Sequence, residues 1–476
     1  MKIYTGILAA GLLSLLPLSA QEPAQEPAPT AAATGSNEAL EAALAEQKQK
    51  AESGDIAATQ AVYTRYALEG LTEQAQHWAG LYEQQLTAQA ESGDTKAMML
   101  LATAYLKGRD YIAQNPGRAV SWFHRAAEAG LPSAAYILGE IFTQQGNTAE
   151  AGRFYHQAWN SYAALTTRLS EPPTTEQRNA LYWQGYMKLM GIGTEKNTAE
   201  GIALLQQADN AWAWSQLYKC YVKGIGVEKD MAKAIGYARK LADEAADGLM
   251  AWVVASAYLN GEGVQKDVAT GRHYLNMADD ANIAQAIHMK GLLLQEEGKM
   301  LDAYNCFNRA ASMGLPESMT ATAKMLLHGA EGVEADTARA IDMLRIASDR
   351  YEDPRAPWEL GQYYDSIGEP ELANGWYKIA SDRGVAQAMA RRGLLHITPD
   401  SGVKWSPTQM YHWWRTGSNA GDPTCSRYLN IFLFVFIPLV LIIAFGVPIT
   451  VVHILNKKAL AEEAEAEQHK QESEKL

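Results

Sequence analysis

Large apolar residues recur three and four positions apart through most of the chain, with Ala or Gly between them. No alternation of apolar and polar residues survives over six positions. That spacing gathers the apolar side chains on one stripe of a helix, so the pattern predicts an all-α protein. Two kinds of segment carry it. AWAWSQLYKCYVKG (211–224), GLMAWVVASAYLNG (248–261) and PESMTATAKMLLHG (316–329) form class A. AKAIGYARKLADEA (232–245), LDAYNCFNRAASMG (301–314) and ARAIDMLRIASDR (338–350) form class B.

The joints between these segments repeat as well. GIGTEKN (191–197), GIGVEKD (224–230) and GEGVQKD (261–267) are three copies, and GAEGVEAD (329–336) is a fourth with one residue inserted. Their second glycines, Gly193, Gly226, Gly263 and Gly332, are 33, 37 and 69 residues apart, a period of about 35 with the last step spanning two units. A second marker, AAEAGLPSA (126–134) and AASMGLPES (310–318), keeps the same beat. The first glycine of each joint suits the left-handed end of helix A. Asn197, Asp230, Asp267 and Asp336 suit the N-cap of helix B, with Glu200 placed for a capping box after Asn197. Val227, Val264, Val333 and Thr194 are placed to plug the turns, and Pro132 and Pro316 to open the next helix A. Ala127 and Ala311, each the small residue before the end of a B helix, are expected at close helix contacts.

These residues resemble the Sel-one-like repeat family, a branch of the tetratricopeptide-like solenoids. The match is carried by Tyr258, Gly261, Gly263, Val264 and Asp267 in one unit. Ala119, Trp122, Phe123, Ala126, Ala127 and Gly130 carry it in another, and Ala135, Leu138 and Gly139 in the next. The resemblance covers roughly residues 50–421. It implies a right-handed α/α solenoid of about ten helix-turn-helix repeats sharing one continuous core. Departures fall at 155–175, where a B helix overruns towards Pro172-Pro173, and at 55–90, where the first unit lacks the G-x-G joint.

Both ends are addressed to a membrane. Residues 1–20 carry Lys2, an apolar stretch and a small residue at the end, the layout of a secretory signal peptide. Residues 21–37 are rich in Pro, Ala and Gln/Glu and read as a flexible leader. Residues 431–455 contain no Asp, Glu, Lys or Arg; as a helix they measure about 37 Å, enough to cross the bilayer. Lys457 and Lys458 follow at once, which favours a cytoplasmic C-terminus. The expected organisation is therefore signal peptide (1–20), leader (21–37), repeat solenoid (38–421), juxtamembrane and transmembrane helix (422–455) and charged cytoplasmic tail (456–476). Asp422-Pro423 reads as the start of one more A helix, continuing without a linker into the transmembrane segment.

Composition adds exclusions. The formal net charge of −13 argues against a nucleic-acid-binding body, which needs a basic face. Three cysteines, Cys220, Cys306 and Cys425, are too few and too scattered for a disulfide scaffold. They read as packed thiols, with an intermolecular bridge at Cys425 and self-association of anchors as the alternative. The G-x-G joints lack the preceding strand and further motif of a phosphate loop. The ten histidines form no HExxH or i,i+4 pair, and no G-x-S-x-G elbow occurs. No catalytic, cofactor-binding or metal-ligating residue is therefore assigned. The Trp-rich runs, Trp212 with Trp214 and His412-Trp413-Trp414, read as core and groove lining.

The resulting expectation is a non-enzymatic, membrane-anchored adaptor whose repeats offer a groove to a protein or peptide partner. The alternatives are a cell-envelope enzyme of cell-wall or β-lactam chemistry and an accessory for polysaccharide handling or export. Absence of Asn-x-Ser/Thr sites in the exported part points to a bacterial inner membrane, with the repeats in the periplasm.

Overall fold

The structure, a computed structural model, describes residues 36–108, 112–397, 403–440 and 457–458. The signal peptide, the leader up to residue 35, residues 441–455 of the apolar run and nearly all of the tail lie outside the described residues. Within them there are twenty-two α-helices, and the sole bridge between extended residues is Ala330–Val333. The all-α reading holds.

Helix α1 (Ser36–Glu52) precedes ten hairpins. Unit one, residues 1–245, carries five of them. They are α2/α3 (Ile56–Leu68, Thr72–Glu91), α4/α5 (Thr95–Lys107, Pro116–Glu128) and α6/α7 (Pro132–Gln144, Thr148–Thr166), then α8/α9 (Thr175–Met190, Thr198–Ala208) and α10/α11 (Ala211–Lys223, Met231–Ala245). Unit two, residues 246–476, carries the other five. They are α12/α13 (Gly248–Asn260, Val268–Asp280), α14/α15 (Ala284–Glu296, Met300–Ser312) and α16/α17 (Pro316–His328, Thr337–Tyr351), then α18/α19 (Arg355–Ser366, Pro370–Asp382) and α20/α21 (Ala386–Leu395, Pro407–Asn419). Helix α22 (Pro423–Ile431) follows. In each hairpin the two helices pack along one another, and within a unit the second leans on the first helix of the next hairpin. Within unit one the buried side chains around Phe123 and around Leu205 meet at Tyr182, and within unit two those around Phe307 and around Tyr377 meet at Tyr364.

The joints follow the sequence reading in three copies of four. Gly191, Gly224 and Gly261 close their helices at φ near +75°, and Asn197, Asp230, Asp267 and Asp336 each accept a hydrogen bond from the N–H of the third residue on. Gly329 differs: its φ is +70° but its ψ is 165°, because the inserted residue bulges the loop into the Ala330–Val333 bridge. The second glycine has a tertiary reason. A Cβ on Gly226 would lie 2.6 Å from Thr198, and one on Gly193 would collide with the carbonyl of Tyr155, so the turn rests on the preceding hairpin. Glu200 does not close a capping box; it pairs with Lys188 at 3.0 Å. The reciprocal box belongs to Thr174 and Gln177, at the start of α8.

Glycines inside class A helices let the paired helix approach. A Cβ at Gly139, Gly291 or Gly361 would lie 2.5–2.6 Å from the ring of Tyr155, Phe307 or Tyr377, each sixteen residues on in the partner helix. Between α8 and α9 the approach is backbone to backbone, since a Cβ on Gly185 would be 2.9 Å from the Gly201 carbonyl. Ala127 and Ala311 are buried as expected.

Helix α22 continues through a π-helical turn, Phe432–Phe436, as one helix to Val440. Its first part packs on the last hairpin: Cys425, Leu429 and Phe432 are buried against Met389, Met410 and Trp414. Further on, Val435 and Leu439 are exposed. Pro423–Val440 is long and apolar enough to cross a membrane. All three cysteines are free thiols, and Cys425, fully buried with its Sγ donating to the Ala386 carbonyl, has no surface to offer an intermolecular bridge.

Candidate functional site

In a helical hairpin of this kind, the edge of helix A beside its contact with helix B is only partly covered, so part of it stays open to a ligand. In unit one this stripe is aromatic. On α6 it presents Tyr136 and Glu140, one turn apart and flanking Gly139; on α8 it presents Tyr182 and Tyr186, flanking Gly185 in the same register. Trp212 opens the same stripe on α10. The rings meet across the helices: Tyr136 lies 4.9 Å from Trp183 and 5.4 Å from Tyr155, and Tyr182 lies 5.7 Å from Trp212; along α8, Tyr182 lies 6.3 Å from Tyr186. Such offset and tilted pairs each add about 0.5–1.5 kcal/mol beyond burial. Tyr155, Tyr182, Tyr186, Trp212 and Glu140 remain half-buried, so the surface is set but open.

Glu140 brings a half-buried carboxylate to this stripe. Burial raises its carboxyl above the ordinary range, and the hydrogen bond from Tyr136 opposes that only in part. The tyrosines respond in turn: burial first, and Glu140's charge second, push the Tyr136 and Tyr186 hydroxyls upward. Tyr182 is pushed up to about 12 by burial and by Tyr186. Lys188 on α8 is held by Glu200 and sits 5.2 Å above Trp159.

Unit two writes the corresponding stripe in hydrogen bonds and ion pairs. His288 Nδ1 lies 2.8 Å from the Ser318 hydroxyl, Thr320 donates to the buried Asp353 at 2.7 Å, and Asp353 also accepts from the Arg355 N–H. Lys324 pairs with Glu359 at 3.3 Å. Burial lowers the His288 imidazole below its ordinary value, Arg355 adds to that and Glu317 opposes it. Ser318 is fully buried, so this His–Ser contact offers no nucleophile to a substrate.

The Trp residues singled out from sequence divide. Trp214 and Trp414 are core, their indole N–H groups donating to Asp209 and to the Ala390 carbonyl. Trp413 lies under Arg392 at 3.9 Å, and Trp212 alone joins the aromatic stripe. Sequence reasoning missed Tyr136, Glu140, Tyr182 and Tyr186. The available signal was their matched placement three residues before and one after Gly139 and Gly185. A cleft of about 590 Å³ along α3 and α5 is lined by Glu83, Tyr105, Arg118 and Trp122. Among the described residues no group of three His, Cys, Asp or Glu could hold a metal.

Comparison with known proteins agrees with this architecture. The Sel1 repeat pattern matches residues 95–131, 178–208, 212–245, 250–283, 316–351 and 358–385, six of the ten hairpins. Chitin synthase regulatory factor 4 of Schizosaccharomyces pombe is 25% identical over 316 residues; the match takes in 64% of this chain and 44% of that protein. The chain thus spans less than half the length of that relative. A protective antigen of uropathogenic Escherichia coli with an SLR fold superposes with a TM-score of 0.56 at 23% identity, over 88% of this chain and 90% of the other. A Sel1 repeat protein of Oxalobacter formigenes is 24% identical over 52% of this chain and all of its own, with a TM-score of 0.40. The shared fold and the matched hairpins make this chain an all-α repeat solenoid, six of whose ten hairpins match the Sel1 repeat.

Proposed function

We propose that the protein is a membrane-anchored scaffold, with its repeats on the exported side of a bacterial inner membrane and its A-helix stripes receiving a protein or peptide partner. In this reading the signal peptide (1–20) is removed, the leader (21–37) is exported with the solenoid (38–421), and the segment 422–455 anchors them. The tail (456–476) remains inside. The observation that carries the reading is the helix Pro423–Val440, which begins as a packed part of the last hairpin and ends with exposed Val435, Leu439 and Val440. A helix rooted in that way transmits a fixed orientation from membrane to repeats, which suits an adaptor better than a tethered enzyme. The half-buried tyrosines and tryptophan of unit one supply the kind of rigid, amphipathic contact area that dominates protein interfaces. The name of the fission-yeast relative, a regulatory factor, is in keeping with action through another protein.

Two measurements test this. Deleting 423–455 from the full chain is expected to move it from the membrane fraction to the soluble exported fraction; persistence in the membrane overturns the anchor. Crosslinking the full-length protein in its native membrane is expected to recover a defined partner that is lost on Tyr182→Ala. Recovery of the chain alone at high crosslinker overturns the scaffold.

A further inference from the structure

Resting on the reading of 422–455 as a membrane anchor, the register of the last hairpin against that segment decides which repeat residues lie beside it where it enters the bilayer. Helices α21 and α22 run antiparallel. The Ser418 and Ser426 hydroxyls are 2.8 Å apart, the Trp414 ring lies 5.6 Å from Tyr428 and 5.7 Å from Phe432, and Tyr411 lies 6.4 Å from Phe432. Each step back along α21 therefore matches a step forward along α22. Pro407, the first residue of α21, comes level with Phe436 and Ile437, which pack on the same cluster as Met410. Helix α20 runs parallel to α22, from Ala386, whose carbonyl accepts from Cys425, to Leu394, which shares that cluster with Leu433. The connection from α20 to α21 thus stands beside the part of the helix where Val435 and Leu439 are exposed.

That connection turns apolar side chains outward. Its two ends are tied at His396, whose Nδ1 lies 2.8 Å from the Lys404 carbonyl, and Val403 packs inward on the Tyr377 cluster. Ile397 and Trp405, each one residue beyond the tie, are 45% and 63% exposed. Of the twelve tryptophans in the chain, Trp405 alone is exposed. An indole in water forfeits the burial of its large ring, whereas at headgroup level the ring is covered and its N–H stays hydrated. Lys404 beside it is exposed and brings an ammonium that lipid phosphates accept. We propose that Ile397 and Trp405 seat in the lipid headgroup layer, so that the solenoid meets the membrane at two points, the anchor helix and the tip of the last hairpin. A single helix leaves the tilt of the repeats open, and a second contact beside it limits that tilt.

The test uses the full-length chain in phosphatidylcholine vesicles, with a nitrobenzoxadiazole label on one introduced cysteine. Cys306→Ser removes the native thiol that is not buried, and the buried Cys220 and Cys425 stay. Labels are placed by Ile397→Cys, by Trp405→Cys, by Leu439→Cys in the anchor and by Asn419→Cys at the opposite end of α21. Quenching by a lipid with a nitroxide on its headgroup is expected to be at least about twofold stronger at 397 and 405 than at 419. Adding Trp405→Ser is expected to weaken quenching at 397, and an undiminished signal overturns the role given to the indole. Quenching at 405 no stronger than at 419 overturns the headgroup contact; if 439 is still quenched by a nitroxide on the acyl chain, the anchor reading stands. A label at 405 that is shielded from aqueous iodide yet out of reach of the lipid nitroxide is covered by a second copy of the chain, which also overturns the contact. A label at 439 that neither nitroxide reaches overturns the anchor reading, and the two-point attachment with it.

Discussion

The two units present the same stripe of helix A with opposite chemistry. In unit one it is a run of rings, Tyr136, Tyr182, Tyr186 and Trp212, with a half-buried carboxylate, Glu140, that no described ion pair includes. In unit two the corresponding stripe is closed on itself, with His288 on Ser318, Thr320 on Asp353 and Lys324 on Glu359. The helices, glycines and joints are alike in both. The difference teaches that the repeat constrains the close contact with helix B and lets the positions beside it vary. A surface with unmet hydrogen-bonding and charge is a place for a partner, and one that has met its own is a place for stability.

The comparison can be broken from the packing side first. Gly139→Val and Gly361→Val each force a branched side chain into a ring, of Tyr155 or Tyr377, and should each cost about 3 kcal/mol in thermal unfolding of the full chain. Only the unit-one change should also weaken partner crosslinking, because Tyr155 borders Glu140. Next is Asp353→Ala in unit two. It strands the Thr320 hydroxyl and the Arg355 N–H, and should cost about 2 kcal/mol with partner binding intact. If partner binding falls with it, the two stripes do not differ as described.

Tyr182→Ala in unit one should reverse that pattern, losing about 1 kcal/mol of stability with the ring contact to Trp212 and most of the partner binding. The smallest effect is in the pH dependence. Glu140, raised in the fold, binds more protons folded than unfolded, so its contribution is full below its ordinary 4.5 and is lost as pH rises through the raised value. The groups facing it, Tyr136, Tyr155, Tyr182 and Tyr186, stay protonated throughout. His288, lowered by burial and Arg355 against Glu317, contributes fully above its ordinary 6.5 and loses that contribution as pH falls through the lowered value. Melting curves should therefore show Glu140→Gln gaining on wild type towards neutral pH and His288→Gln gaining towards acid. Parallel curves would remove the electrostatic half of the comparison.

Much of the fold was legible because it is local. The three-and-four spacing, the G-x-G joints and the capping residues at 197, 230, 267 and 336 each act within a few residues, and the helices stand where that pattern puts them. The exceptions are equally physical. Glu200 had a capping position but also a lysine within reach on α8, and the ion pair prevailed. The inserted residue at 329–336 changed one glycine's ψ, which a motif cannot express. Of the aromatic stripe only Trp212 was noticed, because outward positions carry no periodic signal of their own.

The sequence by itself determined that this chain is a repeated pair of amphipathic helices, since apolar spacing, left-handed glycines and caps depend on neighbours along the chain. Only the tertiary structure decided that Tyr136 stands against Trp183, more than forty residues on, and that Lys188 pairs with Glu200 on the facing helix. Those are choices made where one hairpin packs on the next. Whether a buried charge is answered depends on which side chains that packing brings within reach.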